Sequence, residues 1–194
     1  MSTPILLIVG LGNPGMEYEF TRHNAGAWFV EKLAQTTSSQ LNFNKKFHGA
    51  TCKINLFDHE CHLLIPTTYM NLSGQSVLAC AHFYKILPQE ILVVHDDVDL
   101  PVGTIKLKQG GGHGGHNGLR DIIARLGSND FVRLRIGIGH PGDKERVTGH
   151  VLSKTKKAEK KQIDLAIDNA LQVLPKIITG DLAAAMQELH TNSE

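Results

Sequence analysis

Five short stretches of this chain carry polar side chains suited to chemistry: Asn13, His23-Asn24, Tyr69-Met70-Asn71, His95-Asp96, and His113 through His116-Asn117. A neutral histidine takes a proton from water near pH 7, and an adjacent carboxylate fixes its tautomer and stabilises the imidazolium that forms. His23 and Asp96 are of the right types for such a couple, although sequence alone does not bring them together. Asparagine amides add neutral donors and acceptors, suited to polarising an ester carbonyl and to gripping a peptide backbone. In a glycine-rich stretch, such as the one holding Asn117, the same residue also serves as a plain turn former. No Gly-x-Ser-x-Gly occurs, so there is no nucleophile elbow, and a hydrolysis here would run through activated water.

Two other chemistries share these residues. His95-Asp96-Asp97-x-Asp99 and His113-x-x-His116 are of metal-ligand type. The second, however, lacks the i, i+4 spacing of a zinc-protease helix, and the first lacks the glycine and closing glutamate of an EF-hand loop. No metal and no cofactor are expected. Gly10-Leu-Gly-Asn-Pro-Gly15 matches the letters of a dinucleotide fingerprint. Pro14 removes a backbone donor from the cradle, residues 15–24 are weakly helical, and the acidic residue expected some 20 positions on is missing. What remains is a tight turn presenting Asn13 at the carboxyl end of a strand, where open α/β sheets bind their ligands.

The elements that must position these groups alternate in type. Ile5 to Val9 reads as a buried strand, Ala25 to Thr36 as an amphipathic helix, and 48–56 and 61–65 as strands. Ser73 is placed as the N-cap of a helix with Val77, Ala81 and Tyr84 inward, ending before Pro88. Ile91 to Val94 is an apolar strand running into His95-Asp96-Asp97, and another strand covers about 104–108. A helix from about 119 to 126 is closed by Gly127, and Val132 to Ile138 alternates with Arg133 and Arg135, a strand with one basic face. Residues 140–161 read as polar and irregular, either a cover over the cleft or an ordinary surface loop. A long helix carrying Ile163, Ala166, Ile167, Ala170, Leu171 and Leu174 follows, with a bend expected at Pro175, and a last helix spans about 181–190. The pattern predicts one α/β domain over 1–194, a twisted mixed, largely parallel sheet flanked by helices.

Composition fits that picture. At 194 residues, 41% hydrophobic and 20% charged, the chain can bury a core without disulfides, which excludes a disordered or fibrous protein. Three unpaired-looking cysteines argue for a reducing compartment, and the apolar run Ile5 to Leu11 lacks a basic flank and is too short to span a bilayer. A cytoplasmic protein is expected, with nothing that demands more than a monomer. The net charge of +1 hides a partition: residues 101–160 hold 12 basic against 5 acidic groups, while residues 1–100 hold 6 against 9. That basic block is compatible with a phosphate-binding surface, with scattered solvated charges, or with a non-catalytic RNA-binding module.

The motifs taken together resemble the bacterial-type peptidyl-tRNA hydrolase family. The resemblance runs through Val9-Gly-Leu-Gly-Asn-Pro-Gly15, Thr21-Arg-His-Asn-Ala-Gly26, Pro66-Thr-Thr-Tyr-Met-Asn-Leu-Ser-Gly74, His95-Asp96, Gly110-Gly-Gly-His-Gly-Gly-His-Asn-Gly118 and Arg133-Leu-Arg-Ile-Gly-Ile-Gly-His-Pro-Gly142, in the family's order. It implies hydrolysis of the ester between a peptide and the terminal ribose of tRNA, a place in translation and ribosome rescue, the tRNA acceptor stem as partner, no membrane and no obligate protein partner. His23 matches the family's catalytic base and Asp96 the carboxylate orienting it. Asn13 and Asn71 match residues holding the peptidyl group, Asn117 one that positions water and substrate, and Tyr18 and Met70 residues of the same cleft. Lys108 and Arg135 match the basic clamp for the tRNA 5′-phosphate. Asp97 stands where many relatives have Glu, and Tyr69 where some have Phe.

Overall fold

The computed structural model describes residues 2–191. Its seven strands form one sheet: β1 (Leu7–Gly10), β2 (Asn42–Asn44), β3 (Gly49–Leu56), β4 (His59–Pro66), β5 (Ile91–Asp97), β6 (Ile105–Gln109) and β7 (Val132–Gly137), in the order β2-β3-β4-β1-β5-β7-β6. The four central strands, β4, β1, β5 and β7, run parallel, and β3, β2 and β6 add antiparallel flanks. Six α-helices accompany them: α1 (Ala25–Thr36), α2 (Ser73–Tyr84), α3 (Asn117–Leu126), α4 (Val147–Val151), α5 (Lys157–Ile178) and α6 (Leu182–Thr191).

Central strands are apolar on both faces because both faces are covered. Ile8, Leu92, Val94 and Leu134 pack under α1, α5 and α6, with Phe29 and Val173 among the buried helix residues. Leu7, Val9, Ile91 and Val93 pack under α2 and α3, with Val77 and Leu119. The result is a three-layer α/β/α arrangement. Among the described residues no helix is long and apolar enough to cross a membrane.

Several elements differ from expectation for identifiable reasons. Asn42–Asn44 is a three-residue edge strand too short to show a period. Ser73 is the first residue of α2 and not its cap; its hydroxyl donates to the Met70 carbonyl at 2.7 Å, and Leu72 takes the cap position. In that helix Val77 and Ala81 are buried, but Tyr84 is 40% exposed, and left-handed Lys85 ends the helix there. α3 starts at Asn117, two residues early, because the His116 ring accepts the Gly118 and Leu119 amides. The polar stretch 140–161 contains α4 and the first turn of α5. α5 continues through Pro175 to Ile178, since Val173, Leu174, Ile177 and Ile178 are all buried.

One glycine decides how close α1 comes to the sheet. A Cβ on Gly26 would lie 2.1 Å from the Val94 carbonyl oxygen and 2.8 Å from the Leu11 nitrogen, both backbone. The helix therefore sits directly against β5, which brings the turn before it within reach of Asp96. Gly26→Ala is expected to cost about 1–3 kcal/mol of stability by overpacking, read as a lowered urea midpoint. An unchanged midpoint would mean the helix has room to move outward.

Candidate active site

The polar residues converge at the carboxyl ends of the parallel strands. Asn13 follows β1, Met70 and Asn71 lie in a one-turn 3-10 helix (Met70–Leu72) after β4, and Asp96 sits near the end of β5. His23 lies in a second 3-10 turn, Arg22–Asn24, that leads into α1. Since β1 is flanked by β4 on one side and β5 on the other, the loops leaving these strands diverge and leave a crevice. The crevice has a volume of ≈ 680 Å³ and is lined by Asn13, His23, Met70, Asn71, Asp96 and Asn117, among others.

His23 and Asp96, 73 positions apart, are in contact: Nδ1 lies 2.9 Å from Oδ1 and 3.0 Å from Oδ2. Both are buried. Burial alone would raise the Asp96 pKa, but the charges and hydrogen bonds of His23 and His116 outweigh it and hold the carboxyl well below its usual range. As an ionised acceptor it fixes the proton of His23 on Nδ1 and leaves the Nε2 lone pair free. Burial works against the His23 imidazolium, yet the charge and hydrogen bond of Asp96 prevail, so its pKa is raised above 6.5.

By residue type His116 could join Asp96 only as a fellow metal ligand; in the structure it meets the carboxylate directly. Its Nε2 lies 2.9 Å from Asp96 Oδ1, while its Nδ1 accepts the amides of Gly118 (3.1 Å) and Leu119 (3.3 Å) at the start of α3. A ring nitrogen that accepts two backbone N–H groups carries no proton, so Nε2 is the donor to Asp96. The carboxylate thus bridges two rings, whose centroids lie 4.9 Å apart. Starting the helix at 119 hid this role, because a histidine is an uncommon cap.

Asn24, singled out by type but given no role from sequence, is a structural tie. Its side chain accepts from the Asn13 nitrogen at 2.8 Å and donates to the Asn13 carbonyl at 3.0 Å. Asn13 Oδ1 in turn accepts from the Met70 nitrogen at 2.7 Å, which leaves its NH₂ group as the free end. Asn13 therefore ties the loops after β1 and β4 to the turn bearing His23. Asn71 and Asn117 are exposed, the latter accepting from Arg120 at 3.2 Å. Tyr18 is not part of the cleft lining; it stands edge-on to Tyr69, which is, with ring centroids 6.5 Å apart.

Of the residues of metal-ligand type in the two sequence motifs, Asp96 and His116 meet, but His95 and His113 do not join them. His95 Nδ1 donates to the Asp96 carbonyl at 2.7 Å, and burial, with the neighbouring His116, pulls its pKa down to about 3. His113 accepts the Gly115 amide in the glycine loop. Among the described residues, the one His/Asp group whose ligand-type atoms lie within 4.8 Å of each other is His23, Asp96 and His116.

The basic strands meet as neighbours, Lys106 opposite Arg135 and Lys108 opposite Arg133 across β6 and β7. The expected basic face is nevertheless broken. Arg133 is 3% exposed, and its guanidinium donates to the Gly111 and Gly112 carbonyls, holding the glycine loop and leaving it unsuited to gripping phosphate. Lys108 is exposed, and Arg135 donates from Nε to Asp97 Oδ2 at 2.8 Å, with both lining the cleft. Asp97 is thus a direct partner of Arg135, although its difference from relatives suggested no link to the site.

The sequence model of the family described as Peptidyl-tRNA hydrolase matches residues 7–194. The chain is 60% identical over 190 residues to a peptidyl-tRNA hydrolase of Pseudomonas putida, covering 97% of this chain and 98% of that one. It is 55% identical over 191 residues to one of Coxiella burnetii, covering 98% and 100%. Its fold superposes on the crystal structure of peptidyl-tRNA hydrolase from Acinetobacter baumannii with a TM-score of 0.94 at 52% identity, covering 97% of this chain and 96% of that one. Matched by the family model over residues 7–194 and at least half identical to these relatives over nearly its whole length, the chain belongs to the peptidyl-tRNA hydrolase family.

Proposed function

We propose that the chain hydrolyses the ester joining a peptide, or an N-blocked aminoacyl group, to the terminal ribose of tRNA, with water activated by His23. The observation that carries this reading is the 2.9 Å contact between His23 Nδ1 and Asp96, which leaves Nε2 as a base in the cleft. Nε2 takes a proton from water as its oxygen bonds to the ester carbonyl carbon. The amides of Asn71 and Asn117 donate to the oxyanion that develops. The carbon–ribose oxygen bond then breaks, and the imidazolium returns its proton to the leaving oxygen. His116 steadies the carboxylate through its Nε2 hydrogen bond. Free peptide and tRNA are the products.

Asn13 and Asn71 discriminate peptidyl from aminoacyl substrates by binding the first peptide amide, because a free ammonium leaves such groups unpaired. Met70 packs in the cleft floor, and Tyr18 backs the Tyr69 ring. Lys108 and Arg135 hold the tRNA acceptor stem through phosphate, without reading bases. No metal, cofactor or obligate protein partner is invoked, and the setting is the cytoplasm.

The test is hydrolysis of N-acetyl-aminoacyl-tRNA and of free aminoacyl-tRNA by pure protein, with transition metals chelated. The N-blocked substrate should be preferred by about two powers of ten or more. Equal rates, or activity lost on chelation and restored by zinc, would contradict the reading and favour a metal held by His23, Asp96 and His116.

The clamp gives a separate expectation. Lys108→Ala or Arg135→Ala should weaken tRNA-substrate binding and reduce the slope of log K against log salt by about one. Cleavage of a short N-acyl ester should stay unchanged. Equal losses on both substrates would assign these residues to the fold or to the chemistry.

A further inference from the structure

α4 has only five residues, too few to persist on intrinsic helix propensity, and only Val151 of them is buried. Yet Val147, Thr148, Val151 and Leu152 form one wall of the cleft. His150 Nε2 meets the Ile138 carbonyl at 3.1 Å, and Val147 and Val151 pack on the core, but most of the polar contacts that hold the C-terminal end of α4 come from one side chain outside it.

Arg22, 6% exposed, directs Nη1 at the carbonyls of His150 (3.3 Å), Ser153 (3.3 Å) and Lys154 (3.2 Å) and at the Ser153 hydroxyl (2.5 Å). Carbonyls at and just past a helix C-terminus lack intrahelical donors, and a cation there meets both their lone pairs and the helix dipole. Nη2 pairs with Glu159 at 2.7 Å, and the same carboxylate oxygen accepts the Lys156 amide at the start of α5. One guanidinium therefore joins the end of α4 to the beginning of α5. The backbone repeats the tie: Arg22 N donates to Ser153 O, Thr155 N donates to Phe20 O, and Thr21 bridges Lys154.

Arg22 also immediately precedes His23, in the same 3-10 turn. We propose that Arg22 is a positioning residue that sets the α4 wall at a fixed height over His23, so that wall and base are referred to one turn of chain. The proposal rests on the reading of the cleft as the site of the peptidyl ester. Arg22 touches neither substrate nor base; it acts through α4, and so on substrate affinity ahead of the chemical step. The His23–Asp96 couple keeps its own contacts and should be indifferent to it.

Arg22→Met keeps the length of the stem and removes every donor. KM for N-acetyl-aminoacyl-tRNA should rise about tenfold, the low end of what a charge-assisted hydrogen bond to a buried group is worth, with kcat falling less than threefold. The acid limb of the pH–rate profile should not move. Amide hydrogen exchange over 147–155 should quicken while that of β1 and β5 stays slow, a readout that needs no turnover and therefore stands whether or not the substrate assignment does. Arg22→Lys, which retains the charge opposite Glu159, should recover part of the KM. Unchanged KM and unchanged exchange over 147–155 in folded Arg22→Met would overturn the proposal, as would a loss confined to kcat with a shifted acid limb. Should Arg22→Met fail to fold, Ser153→Ala removes one arm of the tie and should reproduce faster exchange over 147–155; unaltered exchange there would overturn the proposal equally.

Discussion

Replacing His23 with alanine should lower kcat for N-acetyl-aminoacyl-tRNA by about two to four powers of ten, the contribution of a positioned general base. KM should change little, because the amides that grip the substrate are other residues: Asn13 stays tied to Asn24 and Met70, and Asn71 stays at the rim. Single-turnover rates at saturating enzyme check this directly. A fall of only a few-fold would remove His23 from the role of base. The fold should tolerate the change, since the turn is also held by the Asn24 pair with Asn13 and by packing of α1 against β5.

Asp96→Asn should be nearly as damaging, for a reason that depends on His116. The helix start locks His116 into the tautomer that donates from Nε2, so an amide at position 96 must turn its oxygen toward that ring. Its NH₂ group then occupies the place of Oδ2, 3.0 Å from His23 Nδ1, and donates to it. That donor against Nδ1 biases His23 toward carrying its proton on Nε2, the wrong nitrogen for a base facing the cleft. The corresponding change in serine proteases, where the wrong tautomer is also imposed, costs about four powers of ten, and a loss of about two to four is expected here. The pH dependence should change with it. Activity needs neutral His23 and is lost as pH falls through its pKa, which Asp96 keeps above 6.5 in the parent protein. Without the carboxylate only the burial penalty remains, so the acid limb of the residual activity should move to lower pH. A limb that stays in place would mean another group sets it.

Much of this was legible from residue types. An apolar strand ending in His95-Asp96 and a turn presenting Asn13 after another strand point to two strand ends, whereas nothing in the sequence brings His23, which precedes a helix, to Asp96. The contacts that orient these groups were not legible, because they depend on positions no periodicity reveals. The capping by His116 is set by a bend in a glycine loop, and the reciprocal amide pair of Asn24 with Asn13 is a tertiary contact between two loops. Alternation gives the face of Arg133 but not what covers it; the glycine loop folds over the guanidinium, and each terminal nitrogen donates to one of its carbonyls. α4 was invisible because its sequence, Val-Thr-Gly-His-Val, has little helix preference, and its shape is imposed by the Arg22 tie.

A nitrogen-15 NMR titration of the His23 ring in the unliganded protein decides whether this imidazole is the base. The neutral ring should carry its proton on Nδ1, with an apparent pKa above 6.5 that agrees with the acid limb of kcat/KM. A ring protonated on Nε2, or one titrating below 6.5 with no counterpart in the rate profile, would contradict that role.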